Sequence, residues 1–340
     1  MTQPLLKIEN VSKRFTRMPG LAERLVGRLT GGGKPVVVHA LSDVSFDVAR
    51  GEVVGIVGES GCGKSTLGRV VSGIYAPSDG RVVLDGKPVA HERGGNVEKL
   101  TTRVQMIHQD PFASLNPRMK VGETVAEGPR HHGIIPRGEV QARVRALIEK
   151  VGLEGAYADR LPHQFSGGQR QRIAIARALA MDPELLVLDE AVASLDVSIQ
   201  AQVLNLFMEL RRDLGLTALF ISHDLSVVRH VCDRVAIMYL GRLVELAPAD
   251  VLYSDPKHPY TRALFASVPT VGSGKREFEA IKGEIPSPIN PPPGCAFHPR
   301  CPLAGPRCRV EVPKLAGAGA SRTVACHLND GGVELKDKAA

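Results

Sequence analysis

A glycine-rich loop between an apolar strand and a helix constrains this 340-residue chain more than any other feature. The run EVVGIV at Glu52–Val57 is typical of a buried β-strand, and Lys64–Ser72 is typical of the helix that follows it. Between them, Gly58–Thr66 has the sequence GESGCGKST, which matches the phosphate-binding pattern G-x-x-x-x-G-K-[ST]. The alternation of short β-branched runs with helical patterns along the chain predicts an α/β fold with a mostly parallel central sheet.

The residue types in this loop suit the phosphates of a nucleotide. Glycines allow backbone N–H groups to curve around phosphate oxygens, and the helix N-terminus adds the positive end of its dipole. Lys64 would neutralise the β- and γ-phosphates, the Ser65 hydroxyl would bind Mg²⁺, and Thr66 would reach a phosphate oxygen. The predicted nucleotide contacts of the loop are Gly58, Glu59, Ser60, Gly61, Cys62, Gly63, Lys64, Ser65 and Thr66.

Two further apolar runs end in polar residues that suit hydrolysis. The strand LLVL at Leu185–Leu188 is followed by Asp189 and Glu190. Asp189 is predicted to hold Mg²⁺ through water, and Glu190 is predicted to act as general base on the attacking water. The run ALFI at Ala218–Ile221 leads to His223, for which we predict a contact with the γ-phosphate. The alternative without a catalytic role is that Asp189 and Glu190 are a solvated pair of acids at a strand end. For His223, the alternative is a purely structural role.

A helical stretch separates two of these strands. Gln109 follows a strand candidate at Arg103–Ile107, where its amide would sense Mg²⁺ or the attacking water. The residues from 110 to 181 are mainly helical in pattern, with amphipathic spacing over Arg137–Val151. We therefore predict a helical subdomain, at about residues 110–181, inserted into the sheet domain.

A second glycine-rich anion site opens the helix that ends this stretch. The sequence FSGGQ at Phe165–Gln169 precedes the helical run Gln171–Met181, and Ser166 is predicted to be its N-cap. Two glycines at a helix N-terminus again favour an anion. Since one small domain rarely needs two such sites for one nucleotide, this site is predicted to serve a neighbouring subunit's nucleotide. The predicted contacts are Ser166, Gly167, Gly168 and Gln169.

Together these motifs resemble the ATP-binding cassette (ABC) superfamily, in the order GESGCGKST, Gln109, FSGGQRQR, LLVLDE, Ser194–Asp196 and His223. The resemblance implies a P-loop NTPase cassette that also has an antiparallel β-subdomain. It implies ATP hydrolysis and a head-to-tail dimer, in which each nucleotide lies between one P-loop and the partner's SGGQ loop. Asp196 would belong to the loop that crosses between the sites. Phe15 would stack on adenine, with core packing as its alternative role.

Longer segments resemble the importers of oligopeptides, dipeptides and nickel within that superfamily. They are Gln109–Glu123, Asp189–Leu206, Phe220–Glu245, His258–Pro269 and Gly283–Pro302. This implies an F-type ATP-binding subunit that energises di- or oligopeptide import from the cytoplasmic face of the plasma membrane. Its implied partners are a sister cassette or a second copy, two membrane permeases and, indirectly, an extracellular solute-binding protein. Nickel or another small solute is the alternative cargo. Ala191 departs from the superfamily, in which proline is usual there.

Near residue 255 proline becomes dense and periodicity fades, which predicts a cassette over residues 1–254 and a loop-rich module over 255–340. A module that small needs a staple such as a metal. It contains Cys295, Cys301, Cys308 and Cys326. In a reducing cytoplasm, clustered thiolates are more typical of a metal site than of disulfides. The resemblance favours a [4Fe–4S] cluster, with zinc and free thiols as alternatives, and a redox-responsive regulator is an alternative function.

The amino-acid composition disfavours a membrane-spanning segment and a nucleic-acid partner. No run approaches the roughly 18–20 apolar residues that a membrane-spanning helix needs, and the N-terminus lacks the pattern of a secretory signal. Aromatic residues make up 4% of the chain and tryptophan is absent, which disfavours a stacking surface for single-stranded nucleic acid. We expect a cytoplasmic protein without a nucleic-acid partner. A soluble ABC ATPase acting on ribosomes or DNA would usually carry two cassettes or a coiled-coil insertion, and this sequence has neither.

Overall fold

The computed structural model describes residues 3–18, 35–110, 114–136, 138–267, 281, 283–319 and 321–329. Within these ranges the strands are β1 (Leu6–Arg17), β2 (Val36–Val48), β3 (Val53–Val57), β4 (Asp79–Leu84), β5 (Lys87–Pro88), β6 (Ala90–Arg93), β7 (Asn96–Lys99), β8 (Val104–Ile107), β9 (Leu185–Asp189), β10 (Thr217–Ile221), β11 (Arg234–Tyr239), β12 (Arg242–Pro248), β13 (Ala316–Gly317) and β14 (Thr323–Val324). The α-helices are α1 (Lys64–Val71), α2 (Val121–His131), α3 (Val140–Lys150), α4 (Gly167–Leu179), α5 (Val197–Leu214), α6 (Leu225–Val231), α7 (Ala249–Ser254) and α8 (Pro259–Ala266).

The central sheet has eight strands in the order β13-β14-β12-β11-β3-β10-β9-β8. The five strands from β11 to β8 are parallel. Strands β3, β9 and β10 are buried along their whole length, as their continuous apolar sequences predict. Each lies within one residue of its predicted position, so the predicted α/β fold with a mostly parallel sheet is confirmed. Because β3, β10 and β9 are parallel neighbours, the polar residues that follow them meet at one edge of the sheet.

A second, antiparallel sheet with the order β2-β1-β4-β5 covers the helix after the glycine-rich loop. Leu67 and Val70 of α1 share one buried cluster with Val11 of β1 and Val54 of β3. The helix α1 is therefore packed between the two sheets, and the loop that precedes it is fixed on both sides. A short hairpin of β6 and β7 completes the strands of the described residues.

Helices α2, α3 and α4 lie between β8 and β9 in the chain, where the sequence indicates a helical stretch. The helix predicted over Arg137–Val151 is observed over Val140–Lys150. Its apolar positions Val140, Val144 and Ile148 are buried, as the amphipathic spacing predicts. Among the described helices, none combines the length and apolar character that crossing a bilayer requires.

The C-terminal segment packs directly onto the cassette. Strand β14 pairs antiparallel with β12, and β13 pairs with β14. Phe297 is 2% exposed and lies against the rings of Tyr239 and Tyr260, with ring-centroid distances of 5.2 and 5.4 Å. Burial of one phenylalanine contributes about 1.5–3 kcal/mol. This shared core stabilises the C-terminal segment, for which the sequence predicts stabilisation by a metal.

Candidate active site

The phosphate-binding loop lies between β3 and α1 and is shaped by positions that exclude a side chain. A Cβ atom at Gly58 would lie 2.2 Å from the carbonyl oxygen of Met238. At Gly63, where φ is 106°, a Cβ atom would lie 2.4 Å from the carbonyl oxygen of Ala40. The Lys64 ammonium donates hydrogen bonds of 2.8 and 3.0 Å to the carbonyls of Gly58 and Glu59. Its charge therefore lies inside the curve of the loop.

Ser65 and Asp189 lie side by side, and they are two of the three residues predicted to contact Mg²⁺, the third being Gln109. The Ser65 hydroxyl at the start of α1 donates a hydrogen bond of 2.8 Å to Oδ1 of Asp189 at the end of β9. Burial raises the pKa of Asp189, and the hydrogen bond from Ser65 opposes that shift. A hydroxyl and a carboxylate are hard oxygen donors of the kind that Mg²⁺ prefers. The residues present therefore fit this ion.

Glu190, the predicted general base, and His223, the predicted γ-phosphate contact, also lie close together. Oε2 of Glu190 lies 3.5 Å from Nδ1 of His223. Glu190 has a φ of 49°, a left-handed conformation that is uncommon for a residue other than glycine, asparagine or aspartate. Its backbone N–H donates to the carbonyl of Ile221 at 3.0 Å, which joins the ends of β9 and β10.

Gln109 and the segment Ser194–Asp196 are neighbours. The Ser194 hydroxyl donates to the carbonyl of Gln109 at 3.3 Å. Asp196 is the N-cap of α5, accepting hydrogen bonds from the backbone N–H of Ile199 at 3.0 Å and from the Ser198 hydroxyl at 2.8 Å. The Ile199 hydrogen bond is the main reason that the pKa of Asp196 is lowered. The structure thus gives Asp196 a capping role that the sequence reasoning did not anticipate.

The SGGQ turn begins α4, and Ser166 is its N-cap as predicted. The Ser166 hydroxyl accepts from the N–H of Gln169 at 3.4 Å, and Oε1 of Gln169 accepts from the N–H of Ser166 at 3.0 Å. These reciprocal bonds form a capping box. A Cβ atom at Gly168 would lie only 2.2 Å from Cγ2 of Ile199 on α5. Gly168 is therefore required for helix packing, in addition to its predicted role at an anion site.

Phe15, the predicted adenine-stacking residue, is 37% exposed on β1. It makes an edge-to-face contact with Tyr75, with centroids 5.4 Å apart. The Lys13 ammonium lies 5.3 Å from the Phe15 ring and 5.8 Å from the Tyr75 ring. The sequence reasoning missed Tyr75 and Lys13, although a tyrosine soon after a P-loop helix in an aromatic-poor chain was an available signal. This group offers an exposed aromatic surface beside a cation.

The four C-terminal cysteines share one region. Burial raises the pKa of Cys326 to about 11, and the neighbouring thiols of Cys295, Cys301 and Cys308 add to this shift. The N–H of Cys295 donates to the carbonyl of Cys308 at 2.9 Å. However, no group of three or more His, Cys, Asp or Glu residues within the described ranges is arranged to hold a metal ion. The predicted iron–sulfur cluster is therefore not supported by the arrangement of the described residues.

Comparison with known proteins identifies the family. A model of ABC transporters matches residues 41–193, and a model of the oligopeptide/dipeptide transporter C-terminal region matches residues 244–308. The oligopeptide transport ATP-binding protein AppF of Bacillus subtilis is 48% identical over 330 residues, which cover 96% of this chain and 98% of that protein. The chain belongs to the ABC transporter family. This ABC protein is also 47% identical to the probable peptide ABC transporter ATP-binding protein y4tS of Sinorhizobium fredii, with 96% and 91% of the two chains covered.

Solved structures confirm the cassette fold of this ABC protein. CbiO1 from Clostridium perfringens, part of the ABC transporter complex CbiONQ, has a TM-score of 0.59 and 30% identity over 74% of this chain and 91% of that one. The ATP-binding cassette MJ0796, described as a dimeric post-hydrolysis state bound to ADP and phosphate, has a TM-score of 0.58 and 26% identity over 72% and 98% of the two chains. The predicted activity, hydrolysis of ATP to ADP and phosphate with Mg²⁺, is therefore that of an ABC ATPase.

Proposed function

We propose that this ABC ATPase energises the import of di- or oligopeptides across the cytoplasmic membrane, to whose cytoplasmic face it binds peripherally. The observation that carries the proposal is the match of residues 244–308 to the oligopeptide/dipeptide transporter C-terminal region, in which Phe297 packs on Tyr239 of the central sheet. Two relatives whose names specify oligopeptide or peptide transport support it. Nickel or another small solute is the alternative cargo, because a cassette contacts ATP and permease rather than cargo.

Each residue at the sheet edge has a proposed role in hydrolysis. Ser65 and Asp189 would hold Mg²⁺, which when bound neutralises charge on the phosphates. Glu190 would accept the proton of the attacking water. His223, whose Nδ1 lies 3.5 Å from Oε2 of Glu190, would contact the γ-phosphate. Gln109 follows β8 and would sense the occupied site. Lys64 and the backbone N–H groups of the loop bind the phosphates, while Phe15 stacks on adenine.

The second glycine-rich element is proposed to complete the site of a neighbouring cassette. The capping box of Ser166 and Gln169 gives α4 a fixed N-terminus, which favours an anion. Gly167 places no side chain at this helix end, and Asp196 is the N-cap of the adjacent helix α5. The dimeric MJ0796 cassette supports a paired arrangement. The partner would be a sister ATPase subunit or a second copy of this chain.

A groove of about 940 Å³ between the sheet and the helical stretch is the proposed contact with the permease. It is lined by residues of β8, including Met106, by His108 immediately after that strand, and by Glu127 and Arg177 of α2 and α4. Since Gln109 follows His108 directly, a permease segment in this groove would lie beside a residue of the proposed ATP site. Two permease subunits would then be coupled to the two sites of a dimer.

Purification of the tagged chain from its native membranes tests this function. We expect it to co-purify with two membrane permeases and a sister cassette. Addition of a peptide-loaded solute-binding protein should stimulate ATP hydrolysis by the reconstituted assembly at least about threefold. An assembly carrying Glu190→Gln is the control for residual turnover. Stimulation by nickel without any response to peptides would contradict the peptide assignment, and co-purification with ribosomes or DNA would contradict transport.

We also propose that the four C-terminal cysteines bind a [4Fe–4S] cluster, which would have to draw the four thiols closer together than they lie in the described structure. The support is the type of donor and its location: four thiols lie in one short segment, in which the N–H of Cys295 donates to the carbonyl of Cys308 at 2.9 Å. Anaerobic purification should give about four iron and four sulfide per chain, and a variant with all four cysteines changed to serine should give none. A folded protein that is colourless and contains no iron would contradict the proposal. Zinc found instead of iron would identify a structural zinc site.

A further inference from the structure

The second residue of the P-loop is held by two side chains from the C-terminal region. The backbone N–H of Glu59 donates to the hydroxyl of Tyr260 at 2.9 Å. The Glu59 carboxylate accepts two hydrogen bonds from Arg300, of 2.7 Å from Nη1 to Oε2 and 3.0 Å from Nη2 to Oε1. Tyr260 therefore fixes the backbone of Glu59 and Arg300 fixes its side chain, although they lie 201 and 241 positions further along the chain.

The ion pair between Arg300 and Glu59 is well shielded from solvent. The Arg300 side chain is 4% exposed and that of Glu59 is 21% exposed. Two parallel charge-assisted bonds fix the orientation of a carboxylate as well as its position. The guanidinium also donates to the Tyr239 hydroxyl and the Ile281 carbonyl, both at 3.4 Å. The carboxylate of Glu59 is thus tied to a rigid part of the structure.

Tyr260 has an equally firm anchor. It lies at the start of α8, whose N-cap His258 accepts the Tyr260 N–H on Nδ1 at 3.0 Å. Complete burial lowers the pKa of His258 to about 3, so its ring is neutral and can accept this bond. The N–H groups of Lys257 and His258 each donate to the buried Glu245 carboxylate of β12 at 2.9 Å. The His-Pro-Tyr turn is therefore fixed to the central sheet.

We propose that Arg300 and Tyr260 are positioning residues for ATP, which hold the P-loop in its phosphate-binding conformation. On the inner side, the Lys64 ammonium binds the carbonyls of Gly58 and Glu59. Arriving phosphates compete for that ammonium, whereas the contacts of Glu59 with Arg300 and Tyr260 lie outside the loop and persist. A loop that is already ordered loses less conformational freedom on binding, which favours affinity. The inference rests on the proposed role of Gly58–Thr66 as the phosphate site.

A double-mutant cycle on the full-length chain tests this role. Arg300→Gln and Glu59→Gln should each raise the KM for ATP, and the Kd of a non-hydrolysable ATP analogue, by about 5–10-fold. For Arg300→Gln, the kcat at saturating ATP should stay within about twofold, because the proton-transfer residues are untouched. The double variant should be no worse than the weaker-binding single variant, since both changes remove the same interaction. Arg300→Lys should restore only part of the affinity, because lysine cannot make two parallel bonds.

Arg307→Gln is the matched control. Arg307 forms a similar two-bond pair with Glu311, at 2.6 and 2.8 Å, but this pair is exposed and lies within the C-terminal segment. Its loss should leave the KM for ATP unchanged. Unaltered affinity in Arg300→Gln would overturn the proposal, and so would additive losses in the double variant or an equal loss in the control.

Tyr260→Phe keeps the proposal testable should Arg300→Gln fail to fold. It removes one hydroxyl and retains the ring that packs on Tyr239 and Phe297. We expect the Kd of the ATP analogue to rise about threefold with an unchanged unfolding midpoint. Normal affinity in both Tyr260→Phe and Glu59→Gln would refute the positioning role. These measurements need no transport partner. They can therefore refute the positioning role without contradicting the proposed import of peptides. If wild-type protein binds no ATP analogue, the phosphate-site assignment itself has failed.

Discussion

Glu190→Gln is expected to lower the kcat for ATP hydrolysis by about 10²–10⁴-fold while ATP still binds. The amide has nearly the shape of the carboxylate but cannot accept a proton from the attacking water. The side chain lies 3.5 Å from His223 and one residue beyond Asp189, so the phosphate and Mg²⁺ contacts should be preserved. Phosphate release under saturating ATP, together with the Kd of a fluorescent ATP analogue, measures the two effects separately.

Glu184→Gln is the matched control for that substitution. Glu184 immediately precedes the same strand, β9, at its opposite end, where its carboxylate pairs with Arg103 and Arg50. The change removes a carboxylate of the same type without touching the sheet edge that carries Glu190. We expect normal ATP hydrolysis per folded protein. Near-normal hydrolysis by Glu190→Gln would exclude this residue as the base.

Gly168→Ala is expected to destabilise the packing of α4 on α5 by about 1–3 kcal/mol. Because it displaces the start of α4, we also expect it to slow ATP hydrolysis by at least about fivefold. The new methyl group would lie 2.2 Å from Cγ2 of Ile199, a branched atom close to the α5 backbone that has little freedom to move. The start of α4 must then shift away from α5. Since that helix end is proposed to serve the partner's nucleotide, turnover by the assembled dimer should fall more than ATP binding by the isolated chain.

Ile199→Ala provides the rescue for the Gly168 substitution. It removes the atom with which the new methyl group would overlap, so the double variant should hydrolyse ATP faster than Gly168→Ala alone. The single Ile199→Ala variant gives the baseline for the cavity that the truncation leaves. A double variant as slow as Gly168→Ala would show that the methyl group acts on the nucleotide rather than on helix packing.

Local sequence patterns were sufficient to place those residues of the site whose position depends only on their neighbours in the chain. The P-loop lies between the predicted strand and helix because glycine spacing and flanking periodicity depend on neighbouring residues only. Asp189 and Glu190 could be placed at a strand end from the four apolar residues before them. Ser166 could be recognised as an N-cap because serine is a preferred residue immediately before a helical run, and the structure adds the capping box with Gln169.

The contacts that sequence reasoning missed join residues far apart in the chain. Nothing near Glu59 indicates that Arg300 holds its carboxylate, because the pairing depends on how the C-terminal segment packs on β11 and α8. The glycines of the SGGQ turn suggested an anion site, yet the need for Gly168 arises from Ile199 on another helix. Four clustered cysteines suggested metal chemistry, but spacing alone does not fix the distances between thiols.

The pairing of β14 with β12 has a consequence for solubility. An open strand edge carries unpaired N–H and C=O groups that can recruit a strand from another molecule. In this protein β14 covers β12 at Glu245 and Leu246, and β13 then covers β14. Both added strands are only two residues long, so the described sheet ends on an edge too short to template further pairing. At this end of the described sheet, the C-terminal segment therefore leaves less open strand edge for pairing with another molecule.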